Sequence, residues 1–239
     1  MHVLVVYAHP EPSSFTGALK NRAVEALTRA GHTVEISDLY AEGFNPVAGR
    51  HDFTSAANPE RFHYQAEQEF AAISGTFAED IKREQERVEI ADLLILQFPL
   101  WWGAPPAILK GWCERVLAYG FAYVDGRRFD TGLFKGRHAI FSVTTGGTLE
   151  RFSPDGVYGE IERVLYPVER LLLQYMGFEV LPPFVAYGAP RVDDDQRRAY
   201  LDAWEVRILD AARRRTDRTK ADLRSALAAV GTGAWGRKV

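Results

Sequence analysis

The chain is poor in the residues that build cross-links and metal clusters. It holds a single cysteine, Cys113, among 239 residues. No internal disulfide can form, and no thiolate set is present for zinc or an iron–sulfur centre. Its histidines, among them His2, His32, His51, His63 and His138, show no H-E-x-x-H spacing. The G-x-S-x-G elbow of many serine hydrolases is missing too. No run of about 18 apolar residues occurs, so no transmembrane segment is expected. The opening "MHVLVVYAHP" has a short apolar run and no basic leader, unlike a secretory signal. Basic excess is also lacking: the formal net charge is −3, which disfavours nucleic acid and anionic membrane as partners. Together these absences lead us to expect a cytoplasmic protein without a metal centre.

What is present is a rhythm of apolar runs. "HVLVVYA" (2–8) is short, β-branched and continuously apolar, as in a strand buried on both faces. Similar patterns predict strands at 32–40, 91–99, 137–145 and 178–187, with helices at 16–31, 76–90, 106–119, 158–176 and 193–213. Strands alternating with helices specify a parallel sheet covered on both faces. Five such units fit an α/β, flavodoxin-like doubly wound sheet of order 2-1-3-4-5 better than an eight-stranded barrel. The domain is expected over residues 1–213, with 41–75 as an irregular insertion. Phe44, Phe53, Phe62 and Tyr64 in that insertion argue against disorder. Residues 214–239 read as a polar tail with a weak helix near 219–229.

In such a sheet, ligands bind beyond the carboxyl ends of the strands. Three loops fall there: "AHPEPSSFTG" (8–17), "FPLWWGAPP" (98–106) and "TTGGTLERFS" (144–153). The first offers Ser13, Ser14 and Thr16 hydroxyls, His9 and the free N–H groups of a helix start, which suit a phosphate. The blander reading is that Ser13 or Ser14 caps the helix. Gly146 and Gly147 in the third loop let backbone amides approach a flat ligand edge, or simply make a turn. Trp101 and Trp102 sit in the middle loop, where so much exposed apolar surface needs a partner. A flat aromatic ligand supplies one by stacking. Trp112, in the stripe with Ile108, Leu109, Val116 and Leu117, reads instead as core. Phosphate donors, indoles and a Gly-rich amide edge together describe a flavin site.

The ordered set "AHPEPSSF", "SDLYAEGFNP", "QFPLWWGAPPAILKGWCERVLAYGFAY" and "VTTGG" resembles the NAD(P)H:quinone oxidoreductase family of flavodoxin-like flavoproteins. The resemblance runs from residue 1 to about 210 and implies a homodimer with flavin sites at the subunit interface. FAD is implied rather than FMN, its pyrophosphate on His9, Phe15, Thr16 and Gly17. Pro99, Leu100, Trp101, Trp102 and Gly103 would border the isoalloxazine, and Thr144, Thr145, Gly146 and Gly147 its polar edge. His63, Glu114 and Arg197 match adenosine-side or cross-subunit contacts. Tyr123, Asp125 and Phe178 match the substrate pocket, with Trp102 as its platform. The implied reaction is ping-pong: NADH or NADPH passes hydride to flavin N5 and leaves, and a quinone or similar aromatic acceptor then takes two electrons in the same space.

The sequence departs from the animal members in ways that matter. Phe152 and Tyr158 stand where those members carry the tyrosine and histidine associated with charge on the reduced flavin. Phe152 cannot donate a hydrogen bond, and Tyr158 is a neutral donor. Charge at the N1–C2=O edge would then rest on backbone amides of the 144–148 loop, Gly146 and Gly147 among them, assisted by Tyr158. Gly103 replaces an aromatic, suggesting a roomier pocket, and Asp125 and Arg128 make its rim more polar. A second reading is a flavoprotein regulatory subunit of a potassium-efflux transporter, docking through 41–75 or the basic stretch "ARRRTDRTK" (212–220). A flavin-free hydrolase on the same fold is disfavoured by the missing nucleophile and metal motifs.

Overall fold

The computed structural model describes residues 1–217. Its sheet is parallel throughout, in the order β2-β1-β3-β4-β5, with β6 also pairing β4. The strands are β1 (His2–Tyr7), β2 (Thr33–Asp38), β3 (Leu93–Pro99), β4 (His138–Thr144), β5 (Glu179–Val180) and β6 (Phe184–Ala186). Every residue of β3 and β4 is buried, which is why these strands read as largely apolar runs.

Alternation along the strands divides the core in two. Val3, Val5, Leu93 and Ile95 pack on one side against α1 (Phe15–Arg29) and α6 (Asp194–Ala212), through Leu19, Leu27, Trp204 and Ile208. Leu4, Val6, Leu94 and Leu96 pack on the other side. There they meet α3 (Glu79–Ile90), α4 (Ala107–Val116) and α5 (Ile161–Val168). The register pairs Tyr7 with Gln97, and Pro99 with Thr144. The three chemically loaded loops therefore leave the sheet along one edge.

Three expectations are corrected. The predicted fifth strand is split: Leu181 still donates to the Ala139 carbonyl at 2.8 Å, but Pro182 and Pro183 have no N–H to continue the ladder. The predicted helix 158–176 is regular only over α5. Pro167 removes a donor inside it, and the chain continues as a π-helical turn over Glu169–Gln174. The 41–75 insertion is not irregular throughout, because it contains α2 (Tyr64–Ser74), whose Ala66 N–H donates to the His63 side chain.

The insertion is latched to the body. Buried Arg115 of α4 donates through Nε to Asp52 at 2.8 Å and through Nη1 to the Asn45 carbonyl at 2.8 Å. Tyr64 Oη donates to the second oxygen of Asp52 at 2.6 Å. The helix expected near 219–229 lies outside the described residues, as does the end of the basic stretch.

Candidate functional site

The first loop is braced from within. Ser14 caps α1, accepting from Gly17 N–H at 3.1 Å. Ser13 donates through N–H and Oγ to Glu11 Oε1 at 2.8 and 2.7 Å, and these bonds hold the Glu11 carboxyl below its usual range. The serine hydroxyls are thus engaged locally. The donors left for an anion are the first-turn N–H groups of Phe15 and Thr16, which have no partner inside the helix. A Cβ on Gly17 would lie 2.2 Å from the Pro12 carbonyl oxygen, so the loop can fold back on the helix only with glycine there. His9 Nδ1 accepts from Glu11 N–H at 3.0 Å. The same nitrogen lies 3.1 Å from the Glu11 carbonyl, and burial pulls the His9 pKa down.

In the second loop Trp101 and Ala104 exchange backbone bonds of 3.0 Å in both directions. Between them Trp102 has φ 51 and Gly103 φ 69, the left-handed pair of a type I′ turn. The indoles therefore part company. Trp101 is 42% exposed and its ring lies 6.0 Å from that of His9, whereas Trp102 at the apex is 104% exposed. Gly103 serves the turn and is not among the residues that line the cleft.

The third loop is tied to both others. Leu100 N–H donates to the Thr144 carbonyl at 2.8 Å, and the Thr16 and Thr144 hydroxyls meet at 2.8 Å. Gln97, unforeseen from the sequence, donates from its amide to the Thr16 carbonyl at 2.7 Å. Its polarity in an otherwise apolar strand was the available signal. Thr145 Oγ1 and Gly188 N–H both donate to the Gly147 carbonyl, at 2.7 and 2.8 Å. The Arg191 guanidinium donates to the Gly146 carbonyl. Within the described residues, neither Gly146 N–H nor Gly147 N–H donates to any group.

The loops converge on one cleft of about 860 Å³. His9, Phe15, Thr16, Pro99, Leu100, Trp101, Thr144, Thr145, Gly146 and Arg197 line it, with Ala189, Pro190 and Leu201 as a far wall. Gly17, Trp102, Gly103 and Gly147 adjoin these residues in the chain without lining the cleft. Phe152 and Tyr158 pack together at 5.1 Å and press on Gly147, where a Cβ would meet their rings at 2.7 and 3.0 Å. The Tyr158 side chain is exposed.

The remaining candidates lie elsewhere. His63, Glu114 and Tyr123 line a second cavity of about 710 Å³ between α2, α4 and the Pro167–Leu172 segment, whereas Arg197 lies in the first cleft. Tyr123 accepts from Gln65 at 3.0 Å, and Lys110 pairs with Glu114 across this cavity's wall. Burial pushes the Cys113 thiol there up to about 12, so it stays protonated. Half-buried Asp125 lies near Tyr119 and Tyr123, whose pKa values are pushed up chiefly by burial. Phe178 is buried and stacked on Phe134 at 4.9 Å, away from both. Among the described residues no three His, Cys, Asp or Glu side chains could hold a metal, and no helix is long and apolar enough to cross a membrane.

A ligand cleft at the carboxyl edge of a 2-1-3-4-5 sheet is the arrangement of flavodoxin-like proteins, and the flavodoxin-like fold family matches residues 1–208. The ribosyldihydronicotinamide dehydrogenase [quinone] of Pongo abelii is 46% identical over 207 residues, covering 86% of this chain and 90% of that protein. The NAD(P)H dehydrogenase [quinone] 1 of Cavia porcellus is 44% identical over 206 residues, covering 86% and 75% respectively. A crystal structure from Klebsiella pneumoniae is similar at a TM-score of 0.86 and 42% identity, over 90% of this chain and 86% of that one. The chain belongs to the flavodoxin-like NAD(P)H:quinone oxidoreductase family, and it is an oxidoreductase.

Proposed function

We propose that the chain is a flavin-dependent quinone reductase, with FAD as its cofactor and a reduced nicotinamide as its electron donor. The observation that carries this reading is the convergence of three loops on one cleft holding an indole wall, unpaired amides and a helix start. Its volume is in the range of small-molecule and cofactor sites. The donor set fits a flavin. Phe15 and Thr16 N–H groups at the positive end of α1 would take a diphosphate, and Arg197 adds a cation at the same cleft. Pro99, Leu100 and Trp101 would cover the ring system and exclude water. The Gly146 and Gly147 amides would donate to its carbonyl edge.

When bound, the flavin supplies the hydride acceptance and two-electron delivery that side chains alone cannot. Donor and acceptor would use the same face in turn, so the aromatic walls matter more than any single general base. The donor class is NADH, NADPH or a ribosyldihydronicotinamide, the last named in the Pongo abelii relative. A second copy of the chain would close the cavity at His63, Glu114 and Tyr123, giving a homodimer with shared sites. The transporter-subunit reading loses support from the Asp52–Arg115 latch, which holds the 41–75 segment against the body.

An absorbance spectrum of the purified protein, chromatography of the released cofactor, and anaerobic addition of each donor test the proposal. The expected result is bound FAD that bleaches with a reduced nicotinamide and recovers with a quinone. Protein that neither carries nor takes up flavin would end it; yellow protein with negligible turnover would favour the regulatory role.

A further inference from the structure

We propose that Arg191 sets the redox balance of the site by polarising the Gly146–Gly147 peptide; this rests on the flavin reading above. The turn that carries Arg191 is tied to the third loop: Gly188 N–H donates to the Gly147 carbonyl at 2.8 Å and Ala189 N–H to the Thr145 carbonyl at 2.9 Å. From there the Arg191 guanidinium donates to the Gly146 carbonyl. The same peptide unit carries the Gly147 N–H, which has no acceptor within the described residues. A cation on the oxygen of a peptide strengthens the donor at its nitrogen, because hydrogen bonds in series polarise one another.

No carboxylate lies within salt-bridge distance of Arg191 among the described residues, whereas Arg197 is paired with Asp194 at 2.9 Å. Arg191 thus brings an unneutralised charge to the loop. The side chains pressed on Gly147 cannot do so: Phe152 has no polar atom and Tyr158 is a neutral phenol. Hydride delivery to a flavin adds one proton and two electrons, leaving one net negative charge to be held. Arg191 acts on that charge through the peptide, as a positioning residue, and favours the reduced form of the cofactor.

The test is the two-electron potential of bound flavin in the wild type, Arg191→Gln, Arg191→Met and Arg191→Lys, with oxidised-flavin affinity and thermal midpoint measured alongside. Arg191 is exposed, so the variants should fold. The neutral variants should lose about tenfold in preference for reduced over oxidised flavin, equivalent to about 30 mV for a two-electron couple. Lysine should recover most of it. An unchanged potential in both neutral variants, with or without lost stability, would make Arg191 a mere brace of the turn and overturn the inference alone. Wild-type protein that binds no flavin would overturn the functional reading and this inference with it.

Discussion

At the scale of single residues, the costliest group to disturb is the buried pair beneath the insertion. Asp52 and Arg115 are both inaccessible, and Tyr64 Oη donates to the same carboxylate. Asp52→Ala leaves the Arg115 guanidinium with Asp80, at 2.8 Å, as its remaining carboxylate and strips the Tyr64 hydroxyl of its acceptor, which costs about 3 kcal/mol; a fall of that size in urea denaturation is the expected reading. Trp102 runs the other way. Its φ of 51 is a left-handed conformation that disfavours side chains, and its ring touches solvent on all sides. Trp102→Gly should raise stability by about 1 kcal/mol while quinone turnover falls, provided the indole serves as platform. A loss of stability would show that the ring is packed in the native protein. Residue-level reading of the sequence placed Trp101, Thr144 and Gly146 in loops that the fold brings to one cleft, because each lies at the end of a strand. It failed where the partner was remote: nothing near Arg191 announces a bond to a carbonyl 45 residues earlier. For Ser13 and Ser14 the blander reading holds, because Glu11 takes the Ser13 hydroxyl and Ser14 caps the helix.

At the scale of elements, legibility followed burial. β1, β3 and β4 are covered on both faces and read as apolar runs, so their positions and order were plain. α2 was missed for the opposite reason, since its inward positions include Glu67 and Gln68. Glu67 accepts from Ala57 and Asn58 N–H at 2.6 and 3.2 Å, and Gln68 accepts from Tyr119 N–H at 3.1 Å. A helix anchored by buried polar groups has no hydrophobic period to detect. The insertion also depends on close backbone approach: a Cβ on Gly111 of α4 would fall 2.1 Å from the Pro46 carbonyl oxygen. Gly111→Ala should therefore push the 45–53 stretch away from α4 at a cost of about 1–3 kcal/mol. Faster amide exchange confined to that stretch is the expected signature; unchanged exchange would mean the two backbones separate without cost.

At the scale of the whole molecule, residues matched to one shared site are divided between two cavities. Arg197 and Phe15 line the cleft at the sheet edge, while His63, Glu114 and Tyr123 line the hollow beside α4. In the proposed homodimer, a second copy laid so that each hollow meets the partner's cleft would bring these residues together. Leu171 decides between a monomer and that dimer. It lines the hollow yet is 60% exposed, an apolar side chain left in water if the chain acts alone. For a monomer, Leu171→Glu is a surface change worth less than about 0.5 kcal/mol and should leave flavin content intact. For a dimer that closes over this hollow, it places a carboxylate in an apolar contact. The expected outcome is loss of the dimer in analytical ultracentrifugation, from twice the 26.9 kDa chain mass to one, with bound flavin lost in parallel. A variant that stays dimeric and fully loaded would place the subunit contact elsewhere and leave the hollow to another occupant.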